Sequence, residues 1–178
     1  LLFRSSMANK GLEVREDARL FDCAPGNIQV LIHPESRVHS FIRTRDGSLY
    51  AQISRPDMRL PILNALSWPD MYDETAADLD TGSLAMTFRQ PDYGRYPLLR
   101  LAYDALREGE GATVAYNAAN EVAVEAFVTR HLSFTGIAQV VERTLEAGWS
   151  PVMDNLQTVR FADSEARRLA TLAIRSKP

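Results

Sequence analysis

Cysteine occurs once in the 178 residues, as Cys23. A single thiol makes neither an internal disulfide nor a cysteine-based metal cage, a usage that fits a reducing compartment. An excess of one charge is also missing. The 20 Lys and Arg stand against 23 Asp and Glu, a net charge of −3. That balance gives no broad electrostatic footprint for a phosphate backbone, so nucleic-acid binding is not expected. No window approaches the ~20 apolar residues of a membrane span. The start, Leu1-Leu2-Phe3-Arg4-Ser5-Ser6, lacks the apolar length of a signal peptide. There is no Gly-rich dinucleotide fingerprint, no P-loop and no G-x-S-x-G elbow, and no repeat or low-complexity segment. What is present is 46% hydrophobic and 24% charged residues, the balance of a soluble globular protein with enough chain to bury a core. Leu1 is not a Met and the first residues run straight into a motif, so the expectation is a fragment of a longer protein.

The patterning expects a helix from about Lys10 to Ala24, with Val14, Ala18 and Phe21 on one stripe and Pro25-Gly26 as its stop. Ile28 to His33 is short, β-branched and apolar on both faces, as a strand buried within a sheet would be. Val38–Arg43 and Leu49–Ile53 flank Asp46-Gly47, a hairpin signal. After Pro56, Asp57 is placed to cap a short helix containing Met58, Ile62 and Leu66 that ends near Trp68-Pro69. The stretch Asp70 to Gly82 carries Asp70, Asp73, Glu74, Asp78 and Asp80 with no Lys or Arg, an exposed connector. Helices follow: one opened by Pro97 with Leu99, Ala102, Tyr103 and Leu106 on a stripe and interrupted by Gly109 and Gly111; one over about Thr113–Arg130; one over about Phe134–Ala147 with Ile137, Val140, Val141 and Thr144 inward and Gly148 as its close. A last helix is expected from Ser164, with Asp163 as N-cap and Leu169, Leu172 and Ala173 buried. Short connections make these helices a small bundle.

Two polar clusters could carry chemistry. In Ser5-Ser6-Met7-Ala8-Asn9-Lys10-Gly11-Leu12-Glu13, a helix starting near Asn9 would gather hydroxyls, first-turn N–H groups and the Lys10 ammonium at one end, an arrangement that holds a phosphate ester. Glu13 lies four residues after Asn9 and three after Lys10, so all three share a face where a carboxylate could take a hard metal or a substrate. An ordinary N-cap with a surface Lys10–Glu13 pair accounts for the same spacing. The second cluster holds His33 and His39 between strands, with Glu35 the only nearby candidate for a third zinc ligand, a poor site; hydrogen-bonded structural histidines are the favoured reading of these residues taken alone. Asn117, Asn120 and Glu121 read as interhelix hydrogen-bonding groups, and Cys23 as a small buried residue.

The ordered blocks are more specific than their residue types. Asn9-Lys10-Gly11-Leu12-Glu13, Leu31-Ile32-His33-Pro34-x-Ser36-x-Val38-His39-Ser40, Asp46-Gly47-Ser48, Ala51-Gln52 and Pro56-Asp57-Met58-Arg59-x-Pro61-Ile62 lie in sequence. Trp68-Pro69, Pro91-Asp92-Tyr93 with Arg95-Tyr96-Pro97, and Asn117-Ala118-Ala119-Asn120-Glu121 follow. From about Met7 onward the chain resembles the 1-deoxy-D-xylulose 5-phosphate reductoisomerases. The resemblance implies NADPH- and Mg²⁺- or Mn²⁺-dependent conversion of that phosphorylated ketose to 2-C-methyl-D-erythritol 4-phosphate in isoprenoid synthesis. It implies a homodimer, in the cytoplasm of a bacterium or a plastid of a eukaryote, with neither a nucleic-acid nor a membrane partner. Carried over by position, Asn9 and Lys10 resemble the substrate pair on the phosphate side, and Glu13 the carboxylate that contacts metal and substrate. His39 resembles an active-site support residue, so that Glu13, Lys10 and His39 form the catalytic set, and Met58 resembles part of the wall near the cofactor. Arg4 stands where the family has a substrate-binding serine. The family's NADPH domain, its other two metal carboxylates, a further phosphate-binding serine and its mobile loop precede the region that matches.

The expectation is an α+β chain: a partial catalytic α/β domain with a small sheet and hairpin (residues 1–69), an acidic connector (70–93) and a C-terminal helical bundle (94–178). It would be inactive by itself. The alternative is a short paralogue that serves as a non-catalytic binding or dimerisation module.

Overall fold

The computed structural model describes residues 6–70 and 79–176. Among them are six α-helices, α1 (Ala8–Leu20), α2 (Arg59–Ser67), α3 (Pro97–Glu108), α4 (Glu110–Val128), α5 (Phe134–Leu145) and α6 (Leu156–Arg175), and two strands, β1 (Val38–Arg43) and β2 (Leu49–Ile53). The fold is α+β and mostly helical. Its contacts form two compact units, Leu1–Val30 with Pro91–Pro178, and Leu31–Gln90. This grouping cuts the chain differently from segments 1–69, 70–93 and 94–178, because α1 packs on α3 and α4.

In the helical unit, α1 begins at Ala8 after Met7, whose φ of 58° turns the chain into the helix. The hydroxyl of Ser6 accepts from the Ala8 N–H at 3.4 Å. The buried face of α1 is Ala8, Gly11 and Val14. Phe21, expected on that stripe, lies past the helix end and is 70% exposed, and Pro25–Asn27 forms a single 3-10 turn. Val14 packs with Val30, Leu99 and Tyr103, and the Tyr103 hydroxyl donates to the Ile28 carbonyl at 3.0 Å. The bundle is centred on α4, which contacts α3, α5 and α6. Its Ala112, Ala115, Ala118, Ala119 and Ala123 are all fully buried, since a methyl group is what lets neighbouring helices approach from several sides.

Gly109 separates α3 from α4 with φ +136°, and a Cβ there would sit 2.6 Å from Pro151, so only glycine fits that crossing. The α5 N-cap is Ser133, which accepts from the Gly136 N–H. The last helix starts at Leu156, not Ser164. Asn155 accepts from the Gln157 and Thr158 N–H groups while the Thr158 hydroxyl returns to the Asn155 backbone, a reciprocal cap that outcompetes Asp163. Asp163 instead pairs with Arg167 at 2.8 Å. The buried side of α6 is Ala162, Ala166 and Ala170, whereas Leu172 is 47% exposed; the small residues face the alanines of α4, with Ala166 against Ala115 and Ala118. Of the three polar residues expected to bond between helices, Glu121 meets Arg167 at 2.6 Å and Asn117 donates to Glu121 at 3.1 Å within α4. Asn120 is fully buried, and among the described residues neither of its side-chain polar atoms has a hydrogen-bond partner, contrary to that expectation.

In the second unit, β1 and β2 pair antiparallel from Val38↔Ile53 to Arg43↔Leu49, with an irregularity between Val38 and Ser40. The Asp46 carboxylate closes the five-residue loop by accepting from the Thr44 hydroxyl at 2.5 Å and the Ser48 N–H at 3.0 Å, and Gly47 supplies φ +89°. The expected buried strand Ile28–His33 is absent: Ile32 makes one antiparallel bridge with Arg89. Its apolar content reflects helix packing at Val30, and burial against helices leaves the same β-branched signature as burial in a sheet. The α2 helix follows Met58, with Asp57 accepting from the Arg59 N–H at 2.9 Å. The Arg59 guanidinium holds the Asp57 carboxyl down at about 2. Within the described part of the 70–93 segment, Asp80 caps the turn Thr81–Ser83 and Arg89 bridges to Ile32. Asp73, Glu74 and Asp78 lie outside the described residues.

Candidate functional site

Helical periodicity alone brings Asn9, Lys10 and Glu13 together. They occupy the exposed start of α1, opposite the buried Ala8, Gly11 and Val14. The Asn9 amide donates to Glu13 Oε1 at 2.7 Å, and the Lys10 ammonium donates to Glu13 Oε2. One carboxylate oxygen therefore holds each neighbour, and the side chains of Lys10 and Glu13 remain 46% and 41% exposed. Met7 makes no side-chain cap to α1 and the Ala8 N–H is met by the buried Ser6 hydroxyl, so the group this turn offers at the surface is the Lys10 ammonium beside the positive end of the helix dipole, which attracts a phosphate ester. Glu13 retains lone pairs beyond those two bonds, and an all-oxygen donor suits Mg²⁺ or Mn²⁺. Glu13 fits such an ion as one ligand of several: among the described residues no group of three His, Cys, Asp or Glu could hold a metal, and a hard cation takes about six oxygens.

His39 and Met58 lie in the second unit. His39, exposed on β1, has Nε2 3.3 Å from the Ser54 carbonyl. Met58 immediately precedes α2 and is 69% exposed, an apolar side chain in water. Neither of two surface grooves includes any of these five residues: one of ≈ 300 Å³ is lined by Glu35, Arg37, Arg55 and Asp80, the other by Arg15, Asn117, Arg160 and Ser164. Arg4 and Ser5 lie outside the described residues.

The His33–His39–Glu35 zinc arrangement is not built. The His33 side chain is 7% exposed, its Nδ1 facing the Thr87 carbonyl at 2.9 Å and the Glu35 carboxylate at 3.0 Å. Its ring stacks on Phe88 with centroids 4.7 Å apart, so it closes the Ile32–Arg89 bridge region as a structural histidine. Glu35 is held below the usual carboxylate range, first by the Thr87 hydroxyl. Cys23 is half-buried rather than buried, its Sγ 3.5 Å from the Phe21 carbonyl. Spacing assigns no role to Gly11, yet a Cβ there would meet Ala102. The available sequence signal is the small pair Ala8 and Gly11 at i, i+3 opposite the polar face.

Comparison with known proteins places this geometry in context. Residues 53–169 match the family model described as DXP reductoisomerase C-terminal domain. A 1-deoxy-D-xylulose 5-phosphate reductoisomerase of Burkholderia multivorans is 48% identical over 175 residues, covering 98% of this chain and 44% of the relative. The solved reductoisomerase from Zymomonas mobilis in complex with NADPH superposes with a TM-score of 0.92 at 39% identity, over 99% of this chain and 47% of that one. A DOX-P reductoisomerase in complex with NADPH, fosmidomycin and magnesium gives a TM-score of 0.90 at 38% identity, over 98% of this chain and 45% of that one. The chain thus spans less than half the length of these relatives. With a family model matched over most of its length and the same fold in the solved relatives, the chain belongs to the DXP reductoisomerase C-terminal domain family.

Proposed function

We propose that the chain works as the C-terminal part of an NADPH- and divalent-metal-dependent reductoisomerase that converts 1-deoxy-D-xylulose 5-phosphate to 2-C-methyl-D-erythritol 4-phosphate. The observation that carries this is the ready-made face of Asn9, Lys10 and Glu13 at the start of α1. In this reading the Lys10 ammonium, with the helix N-terminus behind it, takes the phosphate end of the ketose, and Asn9 orients it by hydrogen bonding. Glu13 supplies one oxygen ligand to Mg²⁺ or Mn²⁺, and the bound cation polarises the ketose oxygens for rearrangement. His39 supports the substrate side and Met58 forms part of the wall near NADPH.

Residues 1–69 then provide the substrate- and metal-facing part, 70–93 connect, and 94–178 brace α1. The complete protein would act as a homodimer, in the cytoplasm or a plastid. One carboxylate does not hold a divalent ion at useful affinity, and hydride transfer needs a cofactor site, so the isolated 178 residues are expected to be inactive.

The test is NADPH oxidation with substrate and Mn²⁺, followed by absorbance. The 178-residue chain should show no turnover, and the complete polypeptide that carries it should be active. There, Glu13→Gln should lower kcat by about a hundredfold or more, since a metal ligand loses its charge. Catalytic NADPH oxidation by the 178 residues alone, or a wild-type rate in Glu13→Gln, refutes the assignment.

A further inference from the structure

Gly11 sits on the face of α1 opposite Asn9, Lys10 and Glu13, and it is buried. A Cβ added there would lie 2.5 Å from the Ala102 Cβ of α3 and 3.1 Å from the Tyr116 hydroxyl of α4, where ordinary contact begins at 3.4 Å. Tyr116 is only 2% exposed, and its hydroxyl donates to the Leu98 carbonyl in the first turn of α3 at 3.0 Å. The phenol is thereby anchored at its far end, and that end is also what α1 rests against. Ala8, fully buried, and Val14, 2% exposed, flank the contact. Both sides of the crossing are thus set by groups that cannot yield by rotating a flexible chain: a methyl on α3, and a ring tied to α3 from α4.

From this packing we infer that Gly11, Ala102 and Tyr116 form a seat that fixes the height of α1, and are positioning residues for the phosphate- and metal-binding face that α1 carries. The inference rests on the functional reading above for what is being positioned, and on the packing alone for the seat. A methyl group at Gly11 requires α1 to lift by about 1 Å to restore contact with Ala102, and a displacement of that size can cost up to a hundredfold in a catalytic parameter.

The experiment uses the complete polypeptide for kinetics and the 178-residue chain for backbone amide exchange. Gly11→Ala is expected to raise KM for the phosphorylated ketose about tenfold to a hundredfold and to speed amide exchange in α1. Adding Ala102→Gly removes the opposing methyl while placing a helix-weakening glycine in α3, and the 3.1 Å approach to the Tyr116 hydroxyl remains, so the double variant should recover most but not all of the wild-type KM and α1 protection without recovering thermal stability. Loss through instability alone predicts the reverse. A destabilising change outside the core beneath α1, Asn155→Ala at the N-cap of α6, should leave KM at the wild-type value. An unchanged KM in Gly11→Ala, or a double variant that recovers neither KM nor α1 protection, overturns the seat. Where Gly11→Ala does not fold, Tyr116→Phe replaces it: it removes the hydroxyl and its bond to Leu98, and should raise KM severalfold, an unchanged KM again overturning the proposal. If the complete polypeptide shows no turnover, or Lys10→Ala leaves KM untouched, the functional reading fails. The exchange arm then decides the seat by itself, α1 protection lost in Gly11→Ala and regained in the double variant supporting it and unaltered protection refuting it.

Discussion

Lys10→Ala separates a phosphate-binding lysine from a helix-surface ion pair, because the two roles predict opposite distributions of the loss. Among the described residues the Lys10 ammonium pairs with the Glu13 carboxylate, both side chains close to half exposed. Exposed pairs of this kind contribute at most about 1 kcal/mol. For a domain of this size that is a fall in Tm of about 2–4 °C or less, and Glu13 keeps its bond from Asn9. A charge-assisted bond to a phosphate oxygen contributes about 1.5–3 kcal/mol, equivalent to about ten- to a hundredfold in KM. Because the phosphate lies away from the reacting carbons, the contact is made equally in the ground and transition states, so kcat should stay nearly constant while KM rises. The assay is steady-state NADPH oxidation by the complete polypeptide at varied substrate, with a thermal melt of each variant. Added salt should narrow the gap between wild type and variant, since it screens the attraction that only the wild type has. A KM within about twofold of wild type, or a kcat that falls while KM holds, refutes the phosphate role. A Tm drop well beyond that of an exposed pair shows instead that Lys10 is structural.

Glu110 ties three parts of the helical unit together: Oε2 accepts from the Met153 N–H at 2.7 Å and Oε1 pairs with Arg19 of α1. These partners, the Met153 N–H first, hold its carboxyl below the usual glutamate range. A depressed folded-state value means the stabilisation is complete above about 4.5 and is lost as pH falls through the lower folded value. Urea midpoints of wild type and Glu110→Gln should therefore differ most near neutral pH and converge in acid; a constant difference across that range refutes the linkage. At the start of α6, Asn155→Ala removes a side chain that accepts from two backbone N–H groups. It should cost about 1 kcal/mol in a urea titration, and a change indistinguishable from zero means the Thr158 half of the cap is sufficient.

What could be read from the sequence was whatever is decided within a few residues. The hairpin follows from Asp46-Gly47 between two β-rich runs, and α3 from Pro97 at its first position, since turn and cap chemistry act locally. The shared face of Asn9, Lys10 and Glu13 follows from spacing along one helix. The misreadings are equally specific. Ile28–His33 looks like a sheet strand because β-branched residues report burial and not the identity of the covering partner, which for Val30 is Val14, Leu99 and Tyr103. The start of α6 was hidden because its buried side is alanine, so the apolar stripe at Leu169 and Leu172 drew the helix too far along the chain. Ala162, Ala166 and Ala170 carry little hydrophobic signal, yet small side chains are what close packing on α4 requires. Asn120 sits in the same interior with no side-chain hydrogen-bond partner among the described residues, a departure from polar pairing that no local pattern announces.

The same division runs through the candidate site. Its chemistry-bearing groups were legible because they stand on one turn of one helix, whereas the contact that holds that turn in place involves α3 and α4 and has no local signature beyond a glycine. Lys10 and Gly11 are adjacent in sequence and face opposite ways, one toward solvent and one toward Ala102 and Tyr116. Substitutions at the two positions should therefore fail differently: loss of Lys10 removes a charge from a correctly placed helix, while a methyl at Gly11 leaves every charge intact and moves the helix that bears them. Kinetic constants can separate these outcomes where sequence matching cannot, since both residues belong to one motif and would be scored alike by resemblance.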